Sequence, residues 1–157
     1  MKIAIVSGKA EGPTKLNSFD NALLDAGIGN VNLIKVSSML DKNTKIEKLP
    51  ELKPGRMINC VLSCVSSDKK GDFISAAVAI AIGENLGCVV ENSKINENPE
   101  DVRNESIEMV KYMMEVRGEP VQELIVEEIN HTVEKIGTVV ASVIYLDWKL
   151  SSWKFLD

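Results

Sequence analysis

Phe73-Ile-Ser-Ala-Ala-Val-Ala-Ile-Ala-Ile82 is open to two readings, and the fold depends on which one holds. Its alanines suit a helix. However, Ile74, Ala76, Val78, Ile80 and Ile82 alternate with Ser75, Ala77, Ala79 and Ala81. A period of two gives one bulky face and one small face, the pattern of a strand lying close to another layer. The stretch therefore reads as a strand. Gly83-Glu-Asn turns the chain, and residues 86–91 return as its neighbour.

Residues 2–7 read as a buried strand ending at Gly8, followed by a loop over 9–15. Asn17 is placed to cap a helix over 18–26, with Asp20 in its first turn, Phe19, Ala22, Leu23 and Ala26 inward, and Gly27 at its end. Residues 31–37 and 57–65 read as strands. Between them, 40–55 is polar, carries two prolines and reads mostly as loop. Residues 99–117 form the clearest helix. Pro99 suits its first turn, Glu100 and Asp101 favour its positive end, and Val110, Met113 and Met114 give a core-facing stripe. Residues 121–133 and 138–148 are β-prone and read as an antiparallel hairpin joined through 134–137. The order predicts an α+β fold with largely antiparallel strands and two main helices. The tail over 149–157, with Trp153 and Phe155, is expected to dock on the surface or on a neighbouring subunit.

A length of 157 residues predicts one domain over 1–157. Eighteen basic and 23 acidic residues give a net charge of −5, which argues against a nucleic-acid-binding surface. No apolar segment is long enough to span a membrane as a helix. Cys60, Cys64 and Cys88 do not suggest a disulfide framework, and Cys60 and Cys64 read as small core residues. With a single distant histidine, His131, they make a poor zinc pattern, so no metal is expected. His131 itself reads as structural. A cytoplasmic setting is the simplest.

The chain holds no phosphate loop, so any enzymatic chemistry needs another source. Gly27-Ile-Gly-Asn-Val-Asn-Leu-Ile-Lys-Val-Ser-Ser38 offers one, because it ends a strand on two adjacent serines after Asn30 and Asn32. Most such pairs are only polar turns. In a tight turn, however, the Ser38 hydroxyl can attack the Ser37 carbonyl and convert the peptide to an ester, a step driven by proximity. Elimination then cuts the chain and leaves dehydroalanine at position 38. Hydrolysis turns this into an N-terminal pyruvoyl group and releases ammonia. Such a ketone forms a Schiff base with an amino acid and accepts electrons as the carboxylate leaves.

Several long words support this reading. They are Glu11-Gly12, the run from Leu16-Asn17 through Phe19-Asp20 and Ala26-Gly27-Ile28-Gly29-Asn30-Val31-Asn32-Leu33, and the pair Ser37-Ser38. Ser67-Asp68, Gly71-Asp72, Ile74-Ser75-Ala76-Ala77, Glu91 and His131-Thr132-Val133-Glu134-Lys135-Ile136-Gly137 continue them. Across nearly the whole chain the sequence resembles the pyruvoyl-dependent arginine decarboxylases. The resemblance implies a layered α-β-β-α sandwich and self-cleavage between Ser37 and Ser38 into 1–37 and 38–157. It also implies decarboxylation of L-arginine to agmatine for polyamine synthesis, by a homotrimer with sites at subunit interfaces. Ser38 matches the serine that becomes the pyruvoyl group. Asn32 matches an active-site asparagine, and Asp20 an acidic residue that meets the substrate guanidinium. Glu91 matches the glutamate that protonates the carbanion. A carboxylate such as Asp20 suits a planar guanidinium. Glu91 follows an apolar run, and partial burial there would favour its acid form. Lys35, three residues before the pair, has no assigned role. Three alternatives stay open: an uncleaved structural or regulatory homologue, a binding module for a cationic amino acid or polyamine, and a decarboxylase of another amino acid.

Overall fold

In the computed structural model, which describes residues 1–147, the ambiguous alanine-rich stretch is a strand, β6 (Phe73–Ile82). Its bulky face, Ile74, Ala76, Val78, Ile80 and Ile82, lies in the core between two sheets. Its small face, through Ala79 and Ala81, lies under α2 (Pro99–Val116), where Val110 and Met114 pack on it. The small residues let the helix approach. Burying a side chain such as Val78 or Ile80 is worth about 1.5–3 kcal/mol. Asn98 caps α2 by accepting from the Glu100 amide at 3.0 Å, with Pro99, Glu100 and Asp101 in the first turn.

β6 sits between β7 (Leu86–Ile95) and β8 (Glu123–Thr132), and β3 (Met39–Asp41) adds an edge, in the order β3-β7-β6-β8. The second sheet holds β1 (Lys2–Glu11), β2 (Asn32–Lys35), β4 (Lys45–Ile46), β5 (Met57–Ser67) and β9 (Gly137–Tyr145). Its order is β2-β5-β9-β1-β4. Only the short β1/β4 and β2/β5 pairings are parallel. Alternation along these strands sends Ile3, Val61, Val139, Ala141 and Val143 to the inter-sheet core. It sends Ala4, Cys60, Leu62, Val140 and Ile144 outward, under Ala22 and Leu23 of α1 (Lys15–Asp25). The result is the expected α-β-β-α sandwich. Contact is closest at Gly8, where a Cβ would collide with the backbone of Ala22 and Ala26, so only glycine lets α1 sit on β1.

Several expectations change. The 121–133 and 138–148 segments do not form a hairpin. β8 pairs with β6 in one sheet and β9 with β1 and β5 in the other. The link between them crosses the sandwich, held by the Gly12 amide on the Ile136 carbonyl at 3.0 Å. α1 starts earlier than expected. Thr14, not Asn17, is its cap and accepts from the Asn17 amide at 3.1 Å. Asp20 therefore sits in mid-helix, beyond the first turn where the helix dipole would hold its charge. β1 runs on to Glu11, β7 to Ile95 and β5 to Ser67, whereas β2 is only four residues long. The loop over 40–55 carries two short strands, part of β3 and all of β4. The expected tail, and the end of the last strand at Trp148, lie outside the described residues.

Candidate active site

The chain leaves β2 in one sheet at Lys35 and enters β3 in the other at Met39, so the serine pair lies on the crossover between sheets. Hydrogen bonds from both sheets fix this crossover. The Val36 amide donates to the Cys60 carbonyl at 3.0 Å, and Val36 packs into the inter-sheet core. The Val89 amide of β7 donates to the Ser38 carbonyl at 2.9 Å. The Met39 amide turns back onto the Ser37 carbonyl at 3.1 Å, closing a three-residue turn centred on Ser38. The Tyr145 hydroxyl of β9 donates to the Met39 carbonyl at 3.0 Å. Burial pushes the Tyr145 phenol up to about 12, so it remains a donor at neutral pH. Ser38 is half-buried and Ser37 exposed.

The edge strands on this side are short. β2 pairs with β5 only over Met57–Cys60, and β3 with β7 only over Leu86–Cys88. Beyond them the two sheets part around a cavity of about 350 Å³, lined by Lys35, Leu62, Ser63, Cys64, Glu91, Asn92 and Ser93. The buried Ser63 hydroxyl donates to the Asn92 carbonyl at 2.6 Å and ties the two sheets together at this cavity. Glu91 lies two residues beyond Val89 on the same strand face, roughly 7 Å along β7 at strand spacing. The Ser37–Ser38 turn and Glu91 are thus neighbours on one edge of the sandwich. Glu91 is exposed in this chain rather than partly buried, because β3 stops short of it and covers nothing beyond Cys88.

Asn32 and Asp20 are not gathered there by this chain. Asn32 is at the opposite end of β2 from the serines, roughly 10 Å from Lys35 at strand spacing. Its side-chain amide donates to the Gly55 carbonyl at 3.0 Å, and its backbone amide to the Arg56 carbonyl at 2.8 Å. Asp20 is exposed on α1, away from the Ala22–Leu23 face, and has no hydrogen bond or ion pair among the described residues.

Sequence reasoning missed three features of this edge. Cys60 is fully buried, as read, but Cys64 is only partly buried and lines the cavity. Lys35 lines it too. The Tyr145–Met39 bond joins residues 106 positions apart and has no local signal in the sequence.

His131 has a structural partner, as its reading implied. Its Nε2–H donates to Glu11 Oε2 at 3.2 Å. Glu11 Oε1 accepts the amides of Glu134 and Lys135 at 2.9 and 2.6 Å. The cluster clasps the end of β1 to the link between β8 and β9. Partial burial alone would push the Glu11 carboxyl up, but the Lys135 amide, His131 and the Glu134 amide together hold it below its ordinary range. A carboxyl depressed by folding stabilises the native state above its unfolded pKa and loses that contribution as pH falls through its folded pKa. Thermal midpoints should therefore fall as pH drops below about 4.3, and Glu11→Gln should show a shallower fall than the parent. Parallel melting curves from pH 7 to 3 check this; identical slopes would remove Glu11 from the acid response.

The family model described as pyruvoyl-dependent arginine decarboxylase matches residues 2–149. The chain belongs to that family. A protein of Methanothermobacter thermautotrophicus named pyruvoyl-dependent arginine decarboxylase is 66% identical over 147 residues, covering 94% of this chain and 97% of the relative. A protein of the same name from Methanocaldococcus jannaschii is 38% identical, over 89% of this chain and 86% of its own. One from Pyrococcus furiosus is 38% identical, over 91% and 93%. Membership in a pyruvoyl-dependent family implies a covalently bound pyruvoyl group. A half-buried serine in a fixed turn, beside a cavity with a carboxylate, fits the formation of that group from Ser38.

Proposed function

We propose that this chain cleaves itself between Ser37 and Ser38 and then decarboxylates L-arginine to agmatine and carbon dioxide. The observation that carries the reading is the hydrogen-bonded serine turn at the sheet crossover, next to the cavity that holds Glu91, in a member of this family. Maturation proceeds by attack of Ser38 Oγ on the Ser37 carbonyl, loss of the Ser37 carboxylate from Cβ, and hydrolysis of dehydroalanine with release of ammonia.

Carried by residue 38, the pyruvoyl group would supply an electrophilic carbonyl and an electron sink for decarboxylation. The residues around it bind and protonate. Glu91 delivers the proton to the substrate Cα after carbon dioxide has gone. Asp20 meets the guanidinium through paired charge-assisted hydrogen bonds. Asn32 contributes an amide to the site.

Because a single chain leaves Asp20 and Asn32 away from Ser38, they act at the site of a neighbouring protomer, in a homotrimer with interfacial sites. A second chain over the open edge would also cover the exposed Glu91 and give it the partly apolar setting a proton donor needs. Among the described residues Asp20 has no hydrogen bond or ion pair, and it stands on an exposed helix face, which leaves it available across such an interface. The domain spans 1–157, and the setting is the cytoplasm. Among the described residues no helix is long and apolar enough to cross a membrane.

Substrate choice is testable directly. Guanidinium offers a planar fork to a carboxylate, whereas an ammonium is a compact point charge. Arginine should outcompete lysine and ornithine, and Asp20→Asn should lower kcat/KM for arginine about tenfold to a hundredfold, the equivalent of a charge-assisted bond. Competition assays on cleaved protein decide it. Unchanged arginine kinetics in the variant would remove Asp20 from recognition. Preference for another amino acid would replace the substrate but leave the pyruvoyl mechanism in place.

A further inference from the structure

The carbonyl that must be attacked during maturation is already held by a donor. The Ser37 oxygen accepts the Met39 amide at 3.1 Å, so an N–H already points at the atom on which the oxyanion of the attack develops. This arrangement follows from strand geometry. In an antiparallel pair, successive residues point their backbone groups alternately toward and away from the partner strand. The Ser38 carbonyl points to β7 and accepts from Val89, so the amide and carbonyl of Met39 point away from β7. The amide meets the Ser37 oxygen, and the carbonyl meets the Tyr145 hydroxyl at 3.0 Å. Tyr145 belongs to β9, in the other sheet. Its hydroxyl therefore fixes the Met39 backbone from outside β3 and β7.

We propose that Tyr145 is a positioning residue for self-cleavage, and that the Met39 amide stabilises the oxyanion of that step. The inference rests on cleavage at Ser37–Ser38. In the step, Ser38 Oγ bonds to the Ser37 carbonyl carbon and the carbonyl electron pair moves onto oxygen, toward the Met39 N–H. The intermediate then collapses, the Ser37–Ser38 carbon–nitrogen bond breaks, and the hydroxyl proton ends on the Ser38 nitrogen. Tyr145 touches none of these atoms. It holds the Met39 peptide unit so that its amide stays aimed at the oxygen. Loss of its hydroxyl leaves the turn free to rotate about that unit.

The test compares maturation rates after refolding uncleaved precursor, followed by intact mass. Tyr145→Phe removes only the hydroxyl and should slow the split about tenfold, the equivalent of one lost hydrogen bond in the transition state. Replacing the residue 39 amide by an ester, through incorporation of the α-hydroxy acid, removes the N–H and should slow it by about a hundredfold, as for one oxyanion donor. The double variant should be no slower than the ester variant alone, because both changes disable the same donor. Additive losses, or a loss in Tyr145→Phe that merely tracks a lower thermal midpoint, would make Tyr145 a structural residue and overturn the proposal. A Tyr145→Phe rate equal to the parent would do the same. Hydroxylamine locates the block. It should not accelerate chain scission in Tyr145→Phe, since no ester accumulates when the first step is slowed; acceleration would place the defect in the later elimination. If the parent protein itself never splits, the cleavage reading fails, and that outcome is distinct from a parent that splits at the same rate as the variant.

Discussion

Ser38→Ala should remain a single uncut chain and show no arginine decarboxylation. A methyl group cannot attack the Ser37 carbonyl, so neither the ester nor the ketone derived from it can form. The fold should survive. The Ser38 backbone, which accepts from Val89, is unchanged by the substitution, and the side chain is only half-buried. Chain length on a denaturing gel, a melting curve and carbon dioxide release can all be read from one preparation. The expected result is parental stability, one band and no product. Product formation by the uncut variant would place the electron sink elsewhere and overturn the role of Ser38. Ser37→Ala is the complementary control. It keeps the attacking hydroxyl and the carbonyl, so it should still be cut.

Glu91→Gln should be cut normally and turn over slowly. The amide keeps the shape of the side chain but cannot deliver a carboxylic proton. Removing a positioned general acid lowers rates by about 10²- to 10⁴-fold, and kcat should fall by an amount in that range. KM should change little if Glu91 acts after the carboxylate has left. Glu91 lies beyond the reach of β3 and makes none of the hydrogen bonds that hold the serine turn, so cleavage should proceed without it. Full cleavage with near-parental kcat would assign the proton donor elsewhere, and Lys35, which lines the same cavity, would be the next group to test.

What the sequence made legible was set by how local the determinants are. The alternation in 73–82 is a local pattern, and burial on both faces followed it. The start of α2 carries Asn98, Pro99, Glu100 and Asp101 within one turn, and it formed where those residues place it. The start of α1 is harder to read, because Thr14 and Asn17 are both capping types and only the folded chain shows which one accepts an amide. The hairpin expectation failed for a non-local reason. Neighbouring β-prone segments pair only when neither has a better long-range partner. Here β8 finds β6 and β9 inserts between β1 and β5, while Glu11 and Gly12 hold the link that crosses the sandwich.

The same contrast applies to the candidate site. Ser37 and Ser38 stand out because they are adjacent at a strand end. Their environment does not, because it comes from Val89, Cys60 and Tyr145 on three other strands. The exposure of Glu91 depends on where β3 stops, which its own flanking sequence, Cys88-Val-Val, does not encode. Asp20 and Asn32 are recognisable only through family words, and a single folded chain does not bring them to the serines.

Intact mass of the parental protein, incubated after purification and then denatured, decides whether the chain splits at the serine pair. Two chains are expected, 1–37 and 38–157. The larger should lack a free N-terminal amine and gain two hydrogens on borohydride reduction of its ketone. An uncut chain that persists at physiological temperature, or a fragment beginning with an ordinary Ser38 amine, would contradict it.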